Sequence, residues 1–177
     1  MHILIAIITA VGGLVWALVR LQNSGIDLSS FNPFFWARRR SWEKKHGTKP
    51  IHTIDDPMEA ASVLVVAMAE LKAPLTKEAK NSVLNSFVDE FKIDAKTATE
   101  MYTSSAYLLA DVVNIAAEVK HILALTLSEF QERHIASLSS MLNLAATVEG
   151  SPSDEQQSLL KAVEHEFQRG HGQRKQW

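Results

Sequence analysis

The first nineteen residues carry no alternation and no helical stripe. From Met1 to Val19 no side chain bears a formal charge, and most are Ile, Leu, Val or Ala. As a helix the run is roughly 28 Å long, at about 1.5 Å per residue, close to the hydrocarbon thickness of a bilayer. Arg20 ends it. Residues 1–21 therefore read as a single transmembrane helix. Thr9, Gly13 and Ala17 share one face at four-residue spacing. Small residues there allow close helix–helix approach, as in a homodimer or a membrane partner, although they are also simply common in membrane helices.

Polarity then rises through a linker, Gln22 to Ser30. Asn32-Pro33 has the form of a helix start, with Asn as cap and Pro at the first helical position. The predicted helix runs to about His46 and stops at Gly47. It interleaves Phe34, Phe35, Trp36 and Trp42 with Arg38, Arg39, Arg40, Lys44 and Lys45. Rings at the bilayer interface and cations on phosphates would suit such a helix. Basic and aromatic residues together also serve single-stranded nucleic acid. The neighbouring apolar run favours lipid.

After Lys49-Pro50 and a connector to Asp55, helical periodicity dominates. Asp56-Pro57 opens a helix in which Ala60 to Ala69 is apolar on every side except at Ser62, so it belongs at the centre of a bundle. Thr76 caps a second helix through Val83, Leu84, Phe87, Val88 and Phe91. Asp94 caps a third, through Ala98, Met101, Tyr102 and Ser105. A fourth covers Val112 to Leu125. Ser128 with Gln131 forms a capping box for a fifth, ending near Val148. Ser153 caps a sixth, through Leu159, Leu160, Val163 and Phe167. No stretch alternates with period two. The sequence thus predicts an all-α protein: anchor 1–21, linker and juxtamembrane helix 22–54, helical domain 55–169, polar tail 170–177.

Charge gives this plan a direction. Residues 1–50 hold seven Lys/Arg against two acidic residues, and residues 51–177 hold eleven against eighteen. All the early basic residues follow the apolar run, so the positive-inside rule places residues 20–177 in the cytoplasm of a bacterial-type inner membrane. The acidic domain argues against nucleic acid as a partner. Only Met1 and His2 precede the apolar run, and no cleavage site ends it, so a cleaved signal peptide is not expected. The absence of Cys removes disulfides, thiolate metal sites and cysteine nucleophiles.

Catalytic signatures are missing. No phosphate-binding Gly loop, Gly-x-Ser-x-Gly elbow or His-Glu-x-x-His occurs. Glu118 and His121 form one Glu-x-x-His, but a di-iron bundle needs two. His134 and His165 read as partly exposed helix residues.

Two segments echo one another. Ala67 to Glu78 and Ala145 to Glu155 each run from an Ala-rich helix end through a short turn to a hydroxyl residue, with a Glu two positions later. An apolar stripe follows each. In this pattern the chain resembles the TerB-like family, named from a tellurite-resistance protein, over roughly residues 56–168. The resemblance implies a compact all-helical domain. It also implies a divalent-cation site on acidic turn residues, here Glu78, Glu149 and Glu155, with Glu70 as a further candidate. Lys72 and Ala73 stand where that pattern has Asp-Gly, and a Lys donates no lone pair. As partners of helix N-termini, Glu78 and Glu155 are explained without metal, and the loss of the first acidic pair favours that reading. Membrane co-chaperones of this group carry a J domain, and its His-Pro-Asp tripeptide is absent here.

The function expected is non-enzymatic: a membrane-anchored TerB-like domain acting as a cytoplasmic docking scaffold or co-chaperone-like adaptor. Its expected partners are the bilayer and a membrane-bound protein. The alternatives are a divalent-metal-binding stress-response module, or an accessory subunit of a membrane complex. No other cofactor is expected.

Overall fold

The computed structural model describes residues 49–174, with side chains through Gly170. The expected anchor with Thr9, Gly13 and Ala17, and the basic-aromatic helix from Phe34 to Lys45, lie outside the described residues. A 3-10 turn, Pro50–Thr53, precedes six helices: α1 Pro57–Glu70, α2 Lys77–Phe91, α3 Ala95–Leu109, α4 Ile115–Ile122, α5 Glu132–Thr147 and α6 Asp154–Arg174. The described residues contain no strand, and the fold is all-α.

The centre is α1. Asp56 caps it by accepting from the backbone N–H groups of Met58 and Glu59 at 2.7 and 3.0 Å, and Pro57 fills the first turn. All ten residues from Ala60 to Ala69 are buried. Such a helix needs neighbours on every side. α2, α3 and α5 pack against it, α6 packs on α4, and α5 borders α6. Ser62 is fully buried and hydrogen-bonds Ser105 of α3 at 2.8 Å, so one close helix contact is polar. Gln156, 2 % exposed, pins the start of α6 to α1 by donating from Nε2 to the Met68 carbonyl at 2.8 Å. A buried amide with a partner on the central helix avoids the cost of an unpaired polar group.

The expected caps at Asp56, Thr76 and Asp94 all form. Ser153 and Gln156 cap α6 reciprocally, each backbone N–H donating to the other's side chain at 2.9 and 3.3 Å. Elsewhere the structure differs from the pattern. α4 is shorter than Val112 to Leu125, because Asn114 takes the cap, its side chain accepting from the Ala117 N–H at 3.2 Å. Leu123 to Phe130 then turns rather than coils. The cap of α5 is Gln131, not Ser128. Phe130, 2 % exposed, is held just before that cap by an edge-on contact with Phe167, ring centroids 5.1 Å apart.

α6 does not break at Gly170 but continues to Arg174. Gly170 is there for closeness: a Cβ on it would meet Leu127 Cδ2 at 3.1 Å. Ile51 and Ile54, expected in a connector, are core residues at 1 % and 4 % exposure. The expected boundary at residue 55 therefore cuts through a packed unit.

Two substitutions test this framework. Lys92 ends α2 with φ 58°, a left-handed conformation that costs a side-chain-bearing residue about 1–2 kcal/mol. Lys92→Gly should raise stability by up to about 1 kcal/mol in urea titration, with the slope unchanged. Leu64→Ala, at a wholly buried position of α1, should lower it by about 2–5 kcal/mol.

Candidate functional site

The two segments that echo each other in sequence meet in space, turn against turn. Lys72, between α1 and α2, donates from Nζ to the carbonyls of Glu149 and Ser151, each at 3.1 Å. In return, Glu149 Oε1 accepts from the Thr76 backbone N–H at 2.8 Å and the Thr76 hydroxyl at 2.7 Å. The same hydroxyl oxygen accepts from the Ala79 N–H at 3.2 Å, capping α2. Gly150 makes the bend with φ 101°, a conformation that suits glycine. The Thr76 hydroxyl, then its backbone N–H, and to a lesser degree the Lys72 ammonium hold the Glu149 carboxyl below its ordinary range.

The other acidic candidates are placed apart in their tasks. Glu70 Oε1 accepts from the Tyr102 hydroxyl of α3 at 2.8 Å. Burial, reinforced by the Glu70 charge, pushes that phenol upward. Lys80 lies over the Tyr102 ring, 4.9 Å from its centroid. Glu78 is exposed in the first turn of α2. Glu155 begins α6, and its own backbone N–H, then the Ser153 hydroxyl, hold its carboxyl low. The set Glu78, Glu149 and Glu155 is thus not brought together. Among the described residues no three His, Asp or Glu side chains form a group that could hold a metal ion. The cation at this junction is the Lys72 ammonium.

A second cluster joins the Glu118–His121 pair to residues that its spacing does not reach. Lys49 and His52 both converge on Glu118 of α4. Lys49 Nζ donates to Oε1, and His52 Nε2 lies 2.6 Å from Oε2. The Lys49 ammonium, then the His52 ring, hold the Glu118 carboxyl below its ordinary range. The His121 ring tilts against His52, centroids 4.7 Å apart. The Glu-x-x-His spacing is therefore used as a fastener for the chain as it joins the domain. His52 and Glu118 are 66 residues apart, a pairing that no local spacing could announce. His165 is 73 % exposed, as the pattern suggested.

A groove of about 220 Å³ runs between α5 and α6. Ile135, Leu142, Leu160, Val163 and Phe167 form its apolar walls, with Glu164 at the edge. It offers a surface for an apolar side chain rather than a constellation of acid, base and nucleophile. No helix among the described residues is long and apolar enough to cross a membrane. The run over residues 1–19 lies outside them.

The junction has a proton-linked signature. A carboxyl held below its ordinary value of 4.5 contributes stability that is complete above that value and is lost as the pH falls through the lower folded-state value. Glu149→Gln removes that contribution. In thermal melts from neutral to strongly acid pH, the variant should melt lower than the parent at neutral pH, and the gap should close on acidification. Parallel curves would refute the coupling.

Compared with known proteins, the chain matches no family model, no curated protein and no solved structure.

Proposed function

We propose that this protein is a membrane-tethered adaptor: a TerB-like helical domain held at the cytoplasmic face, where it docks a membrane-associated protein without chemistry of its own. The observation that carries the reading is the uncharged run from Met1 to Val19, with all seven basic residues of the first fifty on its C-terminal side. The basic-aromatic stretch from Phe34 to Lys45 braces the tether at the headgroups. Support from the domain is of a different kind. Its conspicuous polar groups, Lys72, Glu149, Glu118 and Gln156, are engaged in bracing helices. The apolar groove between α5 and α6 is the surface suited to a partner's side chain. Tethering raises the domain's effective concentration for partners in the same membrane through linker geometry alone.

The experiment is fractionation. The full chain should stay with membranes through high-salt and carbonate washes. A variant lacking residues 1–21 should move to the soluble fraction, or remain only by a salt-sensitive attachment through residues 31–46. Tight retention of the truncated protein in high salt would refute the anchor. Affinity purification of the full chain in mild detergent should bring down a stoichiometric partner, and a chain that runs alone would count against the adaptor role.

A further inference from the structure

The Pro50–Thr53 turn is held to the domain in two ways. Ile51 and the following Ile54 are buried in the core. His52 stands between them, its backbone N–H donating to the Lys49 carbonyl at 2.9 Å, and the Thr53 hydroxyl donates to the Pro50 carbonyl at 2.8 Å. Lys49 occupies the cap position of the turn but makes no cap bond there. Its Nζ donates instead to Glu118 Oε1 of α4, while His52 Nε2 lies 2.6 Å from Glu118 Oε2. The polar tie to α4 thus runs through side chains. Those of Glu118 and His52 are only 15 % and 20 % exposed, so salt and water weaken their contact less than that of a free surface pair.

Within this cluster, imidazole is the side-chain type whose charge changes between about pH 5 and 8. The Lys49 ammonium, then the His52 ring, hold the Glu118 carboxyl below its ordinary range, so the acceptor keeps its charge well into acid. Two elements pack on the turn, α4 and α3. α4 brings Glu118, His121 and the exposed Lys120. α3 brings Lys96 and Glu100, which pair with each other at 3.8 Å, and the phenols of Tyr102 and Tyr107. On the chain itself Asp55 is exposed and Asp56 is committed to the cap of α1. The exposed His121 ring lies against His52, centroids 4.7 Å apart. Two charged rings at that distance repel, and the ring with a carboxylate beside it is that of His52.

We propose that this turn is a proton-strengthened clasp, in which a protonated His52 ties the start of the domain to α4 more tightly than a neutral one does. A neutral ring can put its single N–H on Glu118. A protonated ring offers the same N–H with a full charge behind it, and such bonds are roughly twice as strong. The docked turn gives the proton a carboxylate partner that a released turn lacks. The contribution of the charge is therefore complete below the imidazole range and is lost as the pH rises through it. At the acid end the clasp lasts until Glu118 itself takes a proton, below the ordinary carboxyl value of 4.5. Release of the turn draws Ile51 and Ile54 out of the core. The entry to the domain thus tightens on mild acidification and slackens in alkali, whatever the domain docks.

Hydrogen exchange read by mass spectrometry on the full chain in detergent micelles tests the clasp. It is run at about pH 6 and about pH 8, the two sides of the imidazole range, with rates corrected for the intrinsic effect of pH and α1 as the internal reference. Relative to α1, the amides of residues 51–54 should be about fivefold better protected on the acid side, the scale of a charge-assisted over a neutral hydrogen bond. His52→Gln keeps an amide donor for Glu118 without titrating, and Glu118→Gln keeps an acceptor without the charge. In each the acid-to-alkaline ratio should fall to near one, with helix content unchanged by circular dichroism. A ratio near one in the parent overturns the clasp, whatever the variants do. A ratio that persists in either variant overturns it too, because another group then carries the effect. A ratio that vanishes in His121→Gln but survives in His52→Gln places the proton on the wrong ring and overturns the role of His52.

Discussion

A helix without a polar face is a constraint on everything around it. Ten consecutive buried residues in α1 can be sheltered only if other helices approach from several directions, and α2, α3 and α5 do so. Each of these needs only a stripe of apolar residues, because its far side is free to meet water. The few polar atoms admitted near α1 are paired: Ser62 with Ser105, and the Met68 carbonyl with Gln156. The centre thereby fixes both the apolar and the polar specification of its surroundings.

Much of this was legible in the sequence, and the reason is local. Caps such as Asp56-Pro57, Thr76 and Asp94 act over three residues, and the stripes of α2, α3 and α6 repeat every three or four. Where the outcome depended on distant partners, the pattern misled. Phe130 falls inside the helix that a cap at Ser128 predicts, yet it stands outside α5, edge-on to Phe167. Gly170 reads as a stop, but the helix continues through it, with Leu127 so close that an added Cβ would lie 3.1 Å from its Cδ2. The same distinction governs the candidate site. That the turns at Lys72 and Glu149 are alike could be read from the chain. That they face each other could not, since some 77 residues separate the pair.

The two charge clusters do similar physical work at different places. At one, an ammonium and a carboxylate cross between turns, the ammonium on carbonyls of the turn after α5 and the carboxylate on the N–H that a helix start leaves open. At the other, two side chains of the incoming segment share one carboxylate of α4. In both, an ionic group is matched by hydrogen bonds from more than one partner, the arrangement that makes a surface charge more than a weak pair. The groove between α5 and α6 is walled by apolar side chains and holds neither of these clusters.

The apolar character of α1 also bears on how the protein is made. The chain leaves the ribosome from the N-terminus, so α1 emerges long before α5, which ends about 77 residues later at Thr147. At roughly 5–20 residues per second, that interval lasts several seconds, with the stickiest segment of the domain uncovered. Its 14 residues form a helix of about 21 Å, too short to cross a bilayer. Its length thus sets it apart from a membrane span, and its apolar surface is covered only when α2, α3 and α5 have followed it.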